Sequence, residues 1–286
     1  MIDIEHVSSF VGMRHERMTV PRTKRLIAKA LGSSRCVGIL PHCEAARKTM
    51  SVLGNDARML DKCKVVYPAV DASLFEQKRT GSTPTRILFM GEYLWKGGRE
   101  LLQACSELSG RLDFSLQYIS LRVHPPEEVV EKARRSMKID FVKGPIQRRE
   151  LLERVYPSTD VFVMPTYIDT FGYAFLEAMA FGIPCIGTRH FAVPEIIEHE
   201  VSGLLVEPPL SFFDRNGMGQ SDLDPGWADN RITVEGLKSA LSSLLESTAL
   251  RNNMGARARQ TVLEGKFSVA RRNSILKEVY ESGLKH

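Results

Sequence analysis

The sequence has no apolar run long enough to cross a bilayer, no paired C-x-x-C and no basic-then-apolar leader at its start. These gaps argue against a membrane-spanning helix, a clustered-thiol zinc site and an ordinary secretory signal. The cysteines Cys36, Cys43, Cys63, Cys105 and Cys185 are odd in number and scattered. Such a set is no disulfide framework and fits a reducing cytoplasm. Cys185, within IPCIG, reads as a buried small residue.

Two nucleotide-binding motifs are missing as well. No G-x-x-x-x-G-K-[ST] is present, so the chain is not a P-loop protein, and no G-x-G-x-x-G follows a strand candidate, which removes the nicotinamide reading. Asp222-Leu223-Asp224 spells a metal-binding D-x-D but lies in a polar stretch, and His42 has no partner at ligand spacing. No metal site is therefore expected. The net charge is +5, with basic clusters at 14–35 and 132–149. They read either as solvated helix faces or as attraction to phosphate-bearing ligands or an anionic membrane surface. Nothing resembles a nucleic-acid motif.

What is present is ordinary globular composition: 286 residues, 43% hydrophobic and 26% charged. From residue 86 onward, short apolar runs alternate with amphipathic stretches. Strands are predicted at RILFM, DFSLQYISL, IDFVKG, DVFVMP, IPCIGT and GLLVE, with helices between them. That alternation predicts an α/β fold with a Rossmann-like, doubly wound parallel sheet. Residues 207–232 read as a long irregular loop, and the tail as helical. Residues 1–70 carry helical stretches and strand-like VGILP and KVVYP, too little for an independent sheet domain.

In open parallel sheets, ligands lie outside the carboxyl ends of the strands. The loops 91–98, 165–172 and 189–194 should share that rim. In D-T-F-G-Y-A-F-L-E, Asp169 precedes a helix and Glu177 lies within it. Gly172 permits close backbone approach, and the helix amides suit a diphosphate. Alternatively, Asp169 or Thr170 only caps the helix. In the loop Gly91-Glu92-Tyr93-Leu94-Trp95-Lys96-Gly97-Gly98, Lys96 is placed to face a leaving diphosphate, or is a solvated lysine in a tight turn.

The segment from Val163 to Thr188 resembles the E-x7-E signature of retaining family 4 glycosyltransferases (glycosyl transferases group 1, GT-B fold). Residues 192–206, AVPEIIEHEVSGLLV, are similar to that family's P-E-I-I…G-x-L-V segment, FMGEYLWKGG to its G-R-x…K-G loop, and KVVYPAVDASLF to the segment joining its two domains. The resemblance spans about residues 40–282. It implies a nucleotide-sugar-binding Rossmann-like domain at 71–267, a remnant of the acceptor domain at 1–70, and a helix at 268–286 that crosses back to it. It further implies that Glu177 holds the ribose, Asp169 the donor sugar, Phe171 and Gly172 offer amides, and Lys96 neutralises the diphosphate. Gly91 would leave the strand, while Gly144 and Ile146 would flank the base.

The chain departs from that pattern in several places. The first acid is Asp169 instead of Glu, Glu92 replaces a phosphate-binding Arg, and Phe191-Ala192 replaces Gly-Gly. Arg99 and Arg122 are candidate substitutes for the missing cation. The acceptor domain is expected to be truncated, leaving Ile275, Leu276, Val279 and Tyr280 of the last helix exposed. The implied activity is metal-independent, retaining transfer of a hexose to a sugar, lipid or small-molecule acceptor, with no cofactor beyond the donor. A partner chain or second copy could supply the missing domain, with peripheral contact at the cytoplasmic membrane face. The rival readings are a non-catalytic donor-binding module and a phosphorylase or epimerase on the same architecture.

Overall fold

The computed structural model describes residues 2–4, 21–54, 57–71, 75, 83–209, 226 and 228–283; Asp222-Leu223-Asp224 and most of the 207–232 stretch lie outside them. In the N-terminal region, β1 (Ile2–Ile4) and β2 (Ile39–Pro41) form a two-stranded parallel sheet. Around it lie α1 (Pro21–Gly32), α2 (Glu44–Thr49) and α3 (Ala57–Leu60). Leu31, Cys36, Ile39, Met50, Leu53 and Met59 make a small core there. KVVYP runs beside β2 without forming a strand: the Lys64 amide donates to the Ile39 carbonyl and the Val66 amide to the Pro41 carbonyl, both at 2.9 Å.

The larger unit runs β3 (Thr85–Gly91), α4 (Gly98–Leu108), β4 (Phe114–Ser120), α5 (Glu127–Ser136) and β5 (Ile139–Lys143). It continues through α6 (Arg148–Glu150), which passes into a π turn at Leu151–Val155 and a 3-10 turn at Tyr156–Ser158. Then come β6 (Val161–Met164), α7 (Tyr173–Ala180), β7 (Cys185–Thr188), α8 (Val193–Ile196) and β8 (Gly203–Val206). The six strands are parallel in the order β5-β4-β3-β6-β7-β8. Alternate residues supply two cores, as period-2 geometry requires. Leu88, Phe162 and Cys185 face α7, whereas Ile87, Phe89, Val161, Val163 and Ile186 face α4 and α9 (Arg231–Glu246). Covering both faces explains why the strands read as continuous apolar runs.

After α10 (Thr248–Leu263), α11 (Val269–Gly283) returns to the N-terminal region. Val279 is buried there with Leu40 and Val66, and Ile275 and Leu276 pack partly against them. The expected exposed stripe is thus mostly covered, because residues 38–66 supply an apolar partner; Tyr280 remains 54% exposed. Lys64 and Glu278 pair at 2.6 Å on the surface of this contact. Among the described residues no helix is long and apolar enough to cross a membrane.

Candidate active site

The chain order reverses between β3 and β6: β4 and β5 lie to one side, and β6, β7 and β8 to the other. A crevice forms where successive connections diverge in this way. It opens as a cavity of about 520 Å³ lined by Gly91, Glu92, Lys96, Arg122, Ile146 and Asp169, among others.

Glycine is required where these loops cross. A Cβ on Gly91 would lie 2.5 Å from Lys96 Cβ, so only glycine lets that lysine fold over the end of β3. Gly97 adopts φ 72°, and a Cβ there would meet the Pro165 carbonyl oxygen at 2.2 Å. The Tyr167 amide donates to the Trp95 carbonyl at 2.9 Å, tying the same two loops together.

Lys96 Nζ donates to the Ile168 carbonyl at 2.6 Å and to Asp169 Oδ2 at 2.8 Å. Both side chains are largely buried, 23% and 18% exposed, so each offsets the other's loss of hydration. Asp169 Oδ1 also accepts from the Phe171 amide at 3.3 Å. Asp169 does not cap α7, whose N-cap is Gly172 (φ 107°) with no side-chain cap bond. Lys96 and Asp169, expected to act on separate parts of a ligand, are joined directly in the crevice.

Arg122 lines the crevice and, like Glu92, has no ion-pair partner among the described residues. Arg99 is committed elsewhere: Nε donates to Glu100 Oε1 at 2.7 Å and Nη1 to the Gly226 carbonyl at 2.9 Å. Of the two candidate cations, Arg122 alone faces the crevice with Lys96.

Glu177 is not part of the crevice wall, although Ala174, one helical turn earlier, is. Its Oε2 accepts from the Tyr156 hydroxyl at 3.0 Å, and Oε1 from the Arg148 guanidinium. Burial, reinforced by the Glu177 carboxylate, raises the Tyr156 phenol well above its ordinary pKa, so it remains a donor. The acid is 13% exposed and Arg148 58%, which puts the guanidinium on the solvent side. Gly144 is also set back from the lining, its amide bonded to the Ser120 carbonyl at 2.8 Å. Phe171 is buried against His42, Tyr173 and Phe267.

His190 carries no signal in the sequence but belongs to this environment. Burial lowers its pKa from 6.5 to about 4; the Asp169 carboxylate opposes that shift and the Lys96 ammonium reinforces it. The imidazole is neutral at neutral pH. Glu195, in the PEII segment, serves the architecture instead. It accepts from the Glu44 amide at 2.8 Å, the Ala45 amide at 2.7 Å and the Tyr67 hydroxyl at 2.8 Å. It satisfies the open start of α2 from across the molecule. Burial raises the Cys43 thiol to about 12 and holds Cys105 and Cys185 protonated as well.

With this geometry in view, residues 84–215 match the family model described as glycosyl transferases group 1. The chain carries a group 1 glycosyltransferase domain. Over 106 residues it is 36% identical to the N-acetyl-alpha-D-glucosaminyl L-malate synthase of Bacillus anthracis, a match covering 37% of this chain and 22% of that enzyme. The match thus spans about a fifth of that relative's length. A glycosyltransferase structure from Rickettsia africae superposes with TM-score 0.68 at 18% identity, covering 93% of this chain and 68% of that one. An Anabaena HepE structure in complex with UDP and glucose gives TM-score 0.66 at 14% identity, covering 98% and 71%. At these identities the structural matches establish the GT-B fold.

Proposed function

We propose that the chain supplies the donor-binding half of a glycosyltransferase that moves a sugar, with retention, from a nucleoside-diphosphate sugar to an acceptor hydroxyl. The observation that carries this reading is the convergence of Lys96, Asp169 and Arg122 on the crevice where β3 and β6 diverge. A diphosphate entering there exchanges with Asp169 for Lys96 and recruits Arg122, so side-chain cations answer the leaving group without a metal. Asp169, released from the lysine, turns to the donor sugar hydroxyls. Ile146 offers an apolar surface to the base. Glu177, steadied by Tyr156, accepts the ribose hydroxyls once Arg148 swings into solvent. The Phe171 and Gly172 amides complete the sugar and phosphate contacts. Positioning and charge stabilisation then carry the chemistry.

Glu92 in the wall of the same crevice favours a second reading, a module that binds donor without turnover. Sugar transfer by this chain, alone and with added acceptor-domain protein, separates the two. Turnover in either mixture supports the enzyme. Tight nucleotide binding with no transfer in either mixture supports the module.

A further inference from the structure

A second cavity, of about 220 Å³, lies where the N-terminal region, the start of α7 and α11 meet. Its walls include His42, Val66, Pro68, Tyr173, Arg272 and Leu276, and no acidic residue lines it. Consecutive residues separate it from the crevice: Tyr173 faces this cavity and Ala174 the donor crevice. Phe171 packs on His42 and on Tyr173, at ring separations of 6.5 and 5.4 Å, and so backs the wall of this cavity.

The chemistry of this cavity is one-sided. Arg272 is partly buried and makes no ion pair among the described residues. A guanidinium withdrawn from water without a carboxylate lacks the compensation that Lys96 receives from Asp169, and its planar donors match a carboxylate or phosphate. His42 adds a second polar group. Tyr173, 46% exposed, offers an aromatic face beside them. The apolar walls of Val66, Pro68 and Leu276 lower the local polarity beside the guanidinium, which strengthens such a charge-assisted contact.

We infer that this cavity binds the anionic group, phosphate or carboxylate, of the acceptor, with Arg272 as the principal anion contact and Tyr173 against the acceptor ring. The assignment to an acceptor rests on the donor reading of the neighbouring crevice; the anion site itself does not.

The test is calorimetric titration of the full chain with inorganic phosphate and with a glucose phosphate, in wild type, Arg272→Ala, Arg272→Lys, Tyr173→Ala and Lys96→Ala. Arg272→Ala should weaken both probes roughly 10- to 100-fold, and Arg272→Lys should restore part of the loss. The glucose phosphate should bind more tightly than phosphate, and Tyr173→Ala should remove that difference. Absence of saturable binding, or affinity that follows Lys96 and ignores Arg272, would overturn the site. Equal affinity for the two probes in wild type would overturn the acceptor assignment. Failure of the donor reading is scored separately, by nucleoside diphosphate binding that ignores Lys96.

Discussion

The sheet unit and the N-terminal region hold together in different ways. In the sheet unit each strand feeds two cores, and at the crevice rim Lys96 and Asp169 compensate each other's burial. The N-terminal region has a two-stranded sheet and a small core of its own. It borrows from the larger unit the cap that Glu195 provides and the apolar partner that Val279 provides. The crevice is therefore a property of the sheet, whereas the second cavity depends on the docking of one region against the other. Perturbations should separate the two.

The largest effect should come from the side chain both regions share. Phe171→Ala empties a buried site packed on His42, Tyr173 and Phe267 and should cost about 3–5 kcal/mol in denaturant unfolding. A loss below about 1 kcal/mol would show that the regions are not packed through it.

Next is pH. His190 is held near 4 in the fold against 6.5 ordinarily. Below 6.5 the unfolded chain takes up a proton that the fold refuses, so stability falls as pH drops from about 6.5 to about 4, by roughly 3 kcal/mol in all. Urea unfolding near neutrality and near pH 5 should show the decline. His190→Gln should remove that part of the slope, even though the Asp169 and Lys96 charges beside it remain.

Glu195→Ala strips three hydrogen bonds from the docking contact and should destabilise it by about 2 kcal/mol. Hydrogen exchange should rise first in α2, with β3 and β6 unchanged. Equal loss across both regions would mean that they unfold as one. Smallest is Tyr156→Phe, which removes one bond to Glu177 and should cost about 1 kcal/mol, well inside the sheet unit.

Much of the sheet unit was legible in the sequence, because apolar runs of strand length alternate with amphipathic stretches and the crevice-forming loops fall between them. Gly91, Lys96 and Asp169 line the crevice at the carboxyl ends of the strands, where that pattern puts their loops. The direct pairing of Lys96 with Asp169 was not legible, since these residues lie 73 positions apart and meet only through the register of β3 against β6. Nor were the partners of Glu177: Arg148 and Tyr156 come from a stretch that shifts from α to π to 3-10 winding, and periodicity does not encode that change of phase. His190 looks like an ordinary loop histidine until its burial is known. The N-terminal region was least legible, because its apolar residues find their partners in α11, more than two hundred positions away.

The most direct test of the central claim is the affinity of a nucleoside diphosphate for wild type and for Lys96→Ala. The expected loss is roughly 10- to 100-fold, one charge-assisted contact in a partly buried crevice. Undiminished affinity in a folded Lys96→Ala protein would contradict the claim, since the β3–β6 crevice would then not be where the diphosphate binds.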